Sequence, residues 1–202
     1  LNSGISPIVI EYGIEVPFVE NMTSPHEYNI GFLGKLNQNK GIEDLLLAFN
    51  ELEENIHSND LNIRLLVGGV GHEAYVNELK YTVKGKNVDF LGYVTDRKKF
   101  FSSLNLFVFP SYSEGLGLVL LEAMAHGVLS LTRDVTPMNK IIKNQVTGFL
   151  FQTNDDLKDK LFNIIKLDND IETKIQKNAL ETIKSSYSII QMYSSINKVY
   201  KD

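Results

Sequence analysis

The stretch SEGLGLVLLEAMA, Ser113–Ala125, decides the fold because it predicts a glycine turn that leads into an apolar helix. Glu114 opens the turn, and Glu122 lies inside the helix. An unpaired charge in such a helix is costly, so we expect Glu122 to have a partner or a ligand. Gly115 and Gly117 allow a close approach to the backbone, and the free N–H groups of the helix start form an anion site. These features indicate a ligand that carries both hydroxyl groups and phosphate.

Short apolar segments alternate with longer amphipathic ones along the rest of the chain, which is the pattern of βα units around a parallel sheet. Strands are predicted at Ile8–Ile10, Asn29–Leu33, Asn62–Val67, Val88–Leu91, Leu106–Phe109, Leu129–Leu131 and Phe149–Phe151. Helices are predicted at Gly41–Asn55, His72–Lys84, Asp96–Ser103, Leu116–His126, Met138–Lys143, Asp155–Lys166 and in the tail Ile171–Val199. We therefore predict an α/β fold with a Rossmann-like, doubly wound parallel sheet.

Residues 1–28 depart from this pattern. Pro7, Pro17 and Pro25 interrupt it, as in a connector or an edge strand. The chain begins with Leu1 rather than Met, so we expect it to enter from an N-terminal domain that is not in this sequence. The expected organisation is a connector and edge segment at residues 1–28, followed by a ligand-binding domain with C-terminal helices at residues 29–202.

The composition limits the function classes. The chain has 202 residues, within the range of one domain, and its net charge of −5 argues against a broad nucleic-acid surface. It has no cysteine, which excludes disulfides and thiolate metal sites and fits a reducing compartment. No apolar run reaches transmembrane length. The histidines His26, His57 and His72 show no metal-ligand spacing, so we assign no metal.

The loop after the second predicted strand is a candidate phosphate site. Lys35 and Lys40 flank it, and Lys40 precedes a helix start, where a cation is unfavourable unless an anion lies nearby. The two lysines can hold a diphosphate, or they can be solvated loop residues. The P-loop order GxxxxGK[ST] is absent. Gly69, in the glycine run after the next strand, lies where ligands bind in such sheets, although a tight structural turn explains it equally well.

Each carboxylate also has two interpretations. Glu122 either pairs with His126 one turn later or accepts hydrogen bonds from the hydroxyls of a ribose. Glu114 either caps the following helix or faces a ligand at the carboxyl end of the preceding strand. Because Lys35, Lys40, Gly69 and the two glutamates all follow strand ends, we expect the fold to gather them at one edge of the sheet.

With these residues in place, the sequence resembles the C-terminal, donor-binding domain of GT-B, retaining glycosyltransferases of family 4 (glycosyl transferases group 1). The resemblance covers nearly the whole chain in the expected order. Glu114 and Glu122 have the EX7E spacing of that family, and Glu11-Tyr12-Gly13-Ile14 resembles its interdomain segment. The matching segments are GFLGK (31–35), KG (40–41), LVGGVG (66–71), VDFLGYV (88–94), VFPSYSEGLGL (108–118), LEAMAHG (121–127) and TGFL (147–150).

The resemblance implies a role for each of these residues. Glu122 would hold the ribose of a nucleoside-diphosphate sugar, and Glu114 would contact the transferred sugar. Lys40 and Lys35 would lie on the diphosphate. The catalytic set is then Glu114, Lys35 and Lys40, and the donor-binding set is Glu122, Gly69, Tyr93 (near the base), Gly115, Leu116, Gly117 and Leu118.

Two departures from the family pattern bear on activity. Lys35 stands where the family usually has arginine, and a lysine lacks the bidentate fork. The segment Thr136–Lys140 lacks the two glycines and the carboxylate of the family's DVGGxPE loop, which faces the acceptor.

The function implied is that of the donor half of a metal-independent hexosyltransferase. It would act with retention on a glycan or lipid-linked acceptor in polysaccharide or glycoconjugate biosynthesis. No cofactor is expected, and UDP is the expected donor nucleotide. One alternative is a nucleotide-sugar binding module without activity of its own, and a less favoured one is a nucleotide-sugar 2-epimerase.

The resemblance places the protein in the cytoplasm, with the inner face of the membrane as a second location. We expect this chain alone to bind a nucleoside diphosphate weakly and to transfer nothing.

Three further patterns have ordinary structural explanations. Arg97-Lys98-Lys99 indicates a solvated helix face rather than peripheral contact with an anionic membrane. Asp168-Asn169-Asp170 has the letters of a metal-binding DxD motif but lies between two predicted helices, as a solvated turn would. The apolar spacing from Ile183 to Tyr200 predicts that the last helix packs on the body of the protein, with exposure of its aromatics toward a second domain as the alternative.

Overall fold

A computed structural model describes residues 10–17, 27–56 and 61–200. Six parallel strands form one sheet: β1 Glu27–Leu33, β2 Asn62–Gly68, β3 Val88–Gly92, β4 Leu106–Phe109, β5 Leu129–Arg133 and β6 Phe149–Phe151. The order across the sheet is β3-β2-β1-β4-β5-β6. This is the strand order of doubly wound dinucleotide-binding folds, whose ligands bind where the order reverses. Here the reversal lies between β1 and β4.

Helices follow the strands and cover both faces of the sheet. They are α1 Ile42–Asn55, α2 Glu73–Thr82, α3 Arg97–Ser102, α4 Leu118–Ala125, α5 Met138–Ile141, α6 Asn154–Ile165, α7 Asn169–Thr182 and α8 Ile189–Val199. A single 3₁₀ turn, Gln38–Lys40, precedes α1, and a π-helical turn, Ile183–Tyr187, separates α7 from α8. The predicted fold class is therefore confirmed.

The core lies in two layers because successive strand residues point to opposite faces. In β4, Leu106 and Val108 join the layer under α1 and α6, whereas Phe107 and Phe109 join the layer under α3, α4 and α7. All four residues of this strand are buried. The near-continuous apolar composition of β4 follows from this burial on both faces.

The first strand of the sheet begins earlier than the sequence predicts. Strand β1 begins at Glu27 rather than at Asn29, and Tyr28 is part of the core. The predicted strand Ile8–Ile10 lies outside the described residues except for Ile10, which is not in a strand. Residues 10–17 pack on the C-terminal segment, where Ile14 N–H donates to Tyr187 O at 2.8 Å and Ile189 N–H donates to Ile14 O at 3.0 Å.

The C-terminal tail is two helices rather than one. The break lies at Ser188, which pairs with Ile14 through its backbone and caps α8 by accepting from Gln191 N–H. The expected packing is confirmed for Ile183 and Tyr187, which contact the core under α4. It is wrong for α8, where Ile190, Tyr193 and Tyr200 are exposed and no residue is buried. The start of α8 contacts residues 10–17, since Gly13 N–H lies 3.3 Å from Met192 Sδ.

Candidate functional site

Two loops meet where the strand order reverses, one after β1 and one after β4. Tyr112 N–H donates to Asn39 O at 3.0 Å, and Asn39 Nδ2 donates to Ser113 O at 3.3 Å. Gly41 has φ +65°, and a Cβ there would lie 2.4 Å from Pro110 O. The loops therefore fit together only with glycine at position 41. This contact fixes the residues that precede α1 relative to the residues that precede α4.

Lys40 and Glu114 form an ion pair across this contact, with Nζ 2.5 Å from Oε1. Both side chains are largely buried. Glu114 does not cap α4, because the N-cap residue is Gly117 with φ +66° and no side-chain hydrogen bond. Leu120 N–H donates to Gly117 O at 2.9 Å, whereas the N–H groups of Leu118 and Val119 have no hydrogen-bond partner among the described residues. The structure brings two predicted catalytic residues into contact and places them at the reversal of the sheet.

Lys35, Gly69 and Tyr93 line one cavity of about 590 Å³ at the carboxyl ends of β1, β2 and β3. Among the described residues, no carboxylate lies within 4 Å of the Lys35 ammonium. Tyr93 is mostly exposed. Gly69 has φ +138°, and a Cβ there would lie 1.8 Å from Gly34 O. The neighbouring loop therefore requires glycine at position 69, as the structural interpretation of this run expected.

Glu122 and Leu118 line a second cavity of about 600 Å³. The carboxylate pairs with Arg97, whose Nη2 lies 2.5 Å from Oε2. Oε2 is buried, and Arg97 is its one partner among the described residues. Arg97 also lines the first cavity, so it stands between the two. Glu114 lines neither of them.

The interpretation in which the Glu122 carboxylate pairs with His126 is wrong. His126 Nδ1 lies 2.8 Å from the backbone oxygen of Glu122, one helical turn earlier. The Glu122 carboxylate pairs with Arg97 of α3 instead. Burial raises the pKa of the Glu122 carboxyl, and Arg97 opposes this rise. Burial lowers the pKa of His126, which favours a neutral imidazole at neutral pH.

The remaining predicted residues lie in the turn before α4. A Cβ at Gly115 would meet no atom within 4 Å, whereas Gly117 needs its positive φ to begin the helix. Leu116 is half exposed and shares a small cavity of about 190 Å³ with Pro137 and Lys140, from the loop that departs from the family pattern.

A buried network near this turn was missed from the sequence. Asp44 Oδ2 accepts from Arg133 Nη2 at 2.6 Å and from Tyr112 Oη at 2.6 Å. Asp44 Oδ1 accepts from Asn154 Nδ2 at 2.8 Å. Arg133 Nε also donates to Pro110 O at 3.0 Å, and its guanidinium lies 4.1 Å from the ring centroid of Tyr112. The only sequence signal was Asp44 itself, a carboxylate on the buried face of α1.

The other basic and acidic patterns are resolved as follows. Residues 97–99 are exposed, as the predicted solvated helix face requires, and Arg97 also forms an ion pair with Glu122. Asp168 caps α7, accepting from Asp170 N–H and Ile171 N–H. Within the described ranges, no three histidine or acidic side chains converge as metal ligands would. No helix in the described part of the chain has the length and apolar character to cross a membrane.

Comparison with known proteins identifies the family. The model of the family described as glycosyl transferases group 1 matches residues 19–182. The capsular polysaccharide biosynthesis glycosyltransferase CapM of Staphylococcus aureus is 29% identical over 176 residues, which are 85% of this chain but 45% of CapM. The chain thus spans less than half of that relative.

Two solved structures are similar to the fold. The C-terminal domain of a glycosyl transferase group 1 family protein (LpcC) from Francisella tularensis is 25% identical, with a TM-score of 0.71, covering 80% of this chain and 87% of that one. Anabaena Alr3699/HepE in complex with UDP and glucose is 19% identical, with a TM-score of 0.76, covering 87% of this chain and 48% of that one. The chain belongs to the glycosyl transferases group 1 family.

Proposed function

We propose that the chain is the donor-binding half of a retaining glycosyltransferase of family 4. It would bind a nucleoside-diphosphate sugar, and the whole protein would transfer the hexosyl group to a glycan or lipid-linked acceptor. The observation that carries the proposal is that a cation and the start of a helix line one cavity beside the reversal of the strand order. Among the described residues, Lys35 lines this cavity without an acidic partner, Val119 of α4 lines it too, and Gly117 makes no side-chain hydrogen bond that would cap α4.

The two lysines would take different parts in holding the diphosphate. Lys35 supplies the charge that faces the cavity. Lys40 is already paired with Glu114, so it holds that carboxylate in place and offsets a negative charge that would otherwise repel the phosphates. In this proposal Lys40 lies against the diphosphate while it keeps Glu114 oriented toward the transferred sugar. Gly115 leaves open space beside the same turn, and the amides of Leu116 and Gly117 reach the phosphates from there.

Catalysis would come from preorganised charge. Breaking the sugar–phosphate bond places negative charge on the leaving nucleoside diphosphate, and Lys35, Lys40 and the helix-start N–H groups stabilise it. We infer retention by front-face attack from the family resemblance, with no protein nucleophile and no metal. Glu122 would accept hydrogen bonds from the ribose hydroxyls, and Tyr93 would lie near the base.

UDP is the proposed donor nucleotide. Support comes from the similar fold of HepE, whose structure contains UDP and glucose. A role in polysaccharide biosynthesis follows from the similarity to CapM, which is named for capsular polysaccharide biosynthesis. We place the reaction in the cytoplasm, at the inner membrane face where the acceptor is lipid-linked.

Calorimetric titration of the chain with UDP, GDP and ADP tests the site. We expect weak binding of UDP and much weaker binding by the Glu122→Ala variant. If none of the three nucleotides binds, or if the variant binds as the wild type does, the site assignment is wrong.

A second experiment separates the transferase from a binding module without activity. A longer protein that carries the chain together with the region preceding it should hydrolyse UDP-sugars slowly, or transfer their sugar when an acceptor is added. Binding without either reaction for any donor would favour the binding module.

A further inference from the structure

The two oxygens of the Glu122 carboxylate lie in different surroundings. Oε2 has no accessible surface and lies 2.5 Å from Arg97 Nη2. The side chain as a whole nevertheless keeps 28% of its surface open. Because Oε2 is buried, this open surface belongs to the rest of the side chain, which lines the cavity. The protein occupies one oxygen of the carboxylate and leaves part of the side chain open toward the cavity.

Arg97 reaches Glu122 from a fixed position. It is the first residue of α3, and Asp96 caps that helix by accepting from Lys99 N–H at 2.9 Å. Its side chain lines the cavity of Lys35 and Tyr93 as well as that of Glu122. A ligand that extends from the diphosphate region to Glu122 must therefore pass the guanidinium.

Among the described residues around this cavity, Arg97 is the cation paired with Glu122. Lys98 from the same helix, His126 from α4 and Glu15 from the N-terminal segment also line the cavity, but none of them forms an ion pair with the carboxylate. Burial, with Lys98 and Arg97 nearby, lowers the pKa of His126. Burial also raises the pKa of Glu122, and Arg97 opposes that rise. Without Arg97, the carboxylate would retain its proton to a higher pH.

We propose that Arg97 is a positioning residue for the nucleotide: it holds Oε2 of Glu122 and keeps the carboxylate ionised, so that Oε1 accepts the hydroxyl hydrogen bonds of the ribose. This rests on the proposed donor site. An ionised carboxylate only accepts hydrogen bonds, whereas a protonated one must also place a donor, which does not match two vicinal hydroxyls that both donate. Arg97 therefore acts on the ligand through Glu122.

The first test needs no ligand. In protein with ¹³C-labelled glutamate, the Glu122 carboxyl signal is titrated by NMR in the wild type, Arg97→Gln and Arg97→Lys. We expect the titration midpoint to move to higher pH in Arg97→Gln and to return toward the wild-type value in Arg97→Lys. Lys99→Gln is the matched control, because it removes one charge from the same helix at a residue outside the cavity. Equal midpoints in wild type and Arg97→Gln would overturn the proposal.

The second test measures UDP affinity over a series of pH values. We expect Arg97→Gln to bind about twofold more weakly at the raised midpoint, where half of Glu122 is protonated, and progressively more weakly below it. The deficit should shrink as pH increases and Glu122 ionises. A deficit that is the same at every pH would show that Arg97 does not act through the ionisation of Glu122, and it would overturn the proposal. Failure of the wild type to bind UDP, GDP or ADP would refute the proposed function, while the NMR titration would still decide the Arg97–Glu122 coupling.

Discussion

Arg133 with Asp44 and Arg97 with Glu122 are two arginine–carboxylate pairs near the same edge of the sheet, and their surroundings differ. The side chains of Arg133 and Asp44 are 8% and 11% exposed, and both Asp44 oxygens accept hydrogen bonds. Those of Arg97 and Glu122 are 44% and 28% exposed, and among the described residues the paired oxygen has no partner besides Arg97. We call Arg133–Asp44 the closed pair, because it is buried and its carboxylate oxygens already accept hydrogen bonds from the protein. We call Arg97–Glu122 the open pair, because it is partly exposed and can still contact a ligand. We therefore expect the first pair to determine stability and the second to determine binding.

The largest effect is expected at the closed pair. Arg133→Met leaves Asp44 as a buried carboxylate without its cation, so the free energy of unfolding should fall by about 3–5 kcal/mol. Urea unfolding followed by circular dichroism measures this change. Arg64→Met is the matched control, because Arg64 pairs with Asp89 across neighbouring strands at a more exposed site, and its loss should cost about 1 kcal/mol or less. Equal costs for the two variants would contradict the structural role of the closed network.

The open pair should show the opposite behaviour. Glu122→Gln should weaken UDP binding about 10- to 100-fold, because it removes an ionised acceptor of hydroxyl hydrogen bonds. Its free energy of unfolding should change by less than about 1 kcal/mol, since Arg97 is half exposed and water replaces the lost partner. Calorimetry and urea unfolding measure the two quantities.

The control for Glu122→Gln is Glu172→Gln. Glu172 is also a half-buried helical glutamate whose pKa is raised by burial, but it lines a different cavity. UDP affinity should be unchanged in this variant. A similar loss of affinity in both variants would mean that Glu122 has no specific role in binding.

The sequence predicted the sheet because its strands and turns depend on local patterns. Short apolar strands and the glycine turn before Leu118 identify a doubly wound fold, and in this fold Lys40 and Glu114 come into contact. The partners of the carboxylates could not be predicted in the same way. Arg97 meets Glu122 only because α3 lies beside α4, and Arg133 meets Asp44 only because α1 lies beside the end of β5. Glu122 also has a histidine one turn away, which made the local pair attractive although the packing directs its carboxylate elsewhere.

Two glycines in the turn before α4 should differ in their contribution to stability: Gly117 needs a positive φ, whereas Gly115 has open space beside it. Gly117→Ala should lower the free energy of unfolding by about 1–2 kcal/mol, because φ +66° is unfavourable for a residue with a Cβ. Gly115→Ala should change it by less than about 0.5 kcal/mol, since its Cβ would meet no atom within 4 Å. Urea unfolding tests both. If Gly115→Ala leaves stability intact but weakens UDP binding, the open space beside Gly115 belongs to the ligand.

The smallest effect is expected at the edge of the closed network. Tyr112→Phe removes the hydroxyl that donates to Asp44 and should cost about 1 kcal/mol without changing UDP affinity. Tyr81→Phe is the control, because Tyr81 is among the most exposed aromatic residues and its hydroxyl makes no hydrogen bond among the described residues.

The pH dependence of stability gives a further check of the Tyr112–Asp44 hydrogen bond. The hydrogen bond to Asp44, together with burial, raises the pKa of Tyr112, so the folded state holds this proton more tightly than the unfolded state does. The stability that the hydroxyl provides is therefore fully present below roughly pH 10 and declines as pH rises above it. The difference between wild type and Tyr112→Phe in urea unfolding should shrink across that range. A difference that stays constant would show that Asp44 does not hold the Tyr112 proton, and the network would then be less closed than its geometry indicates.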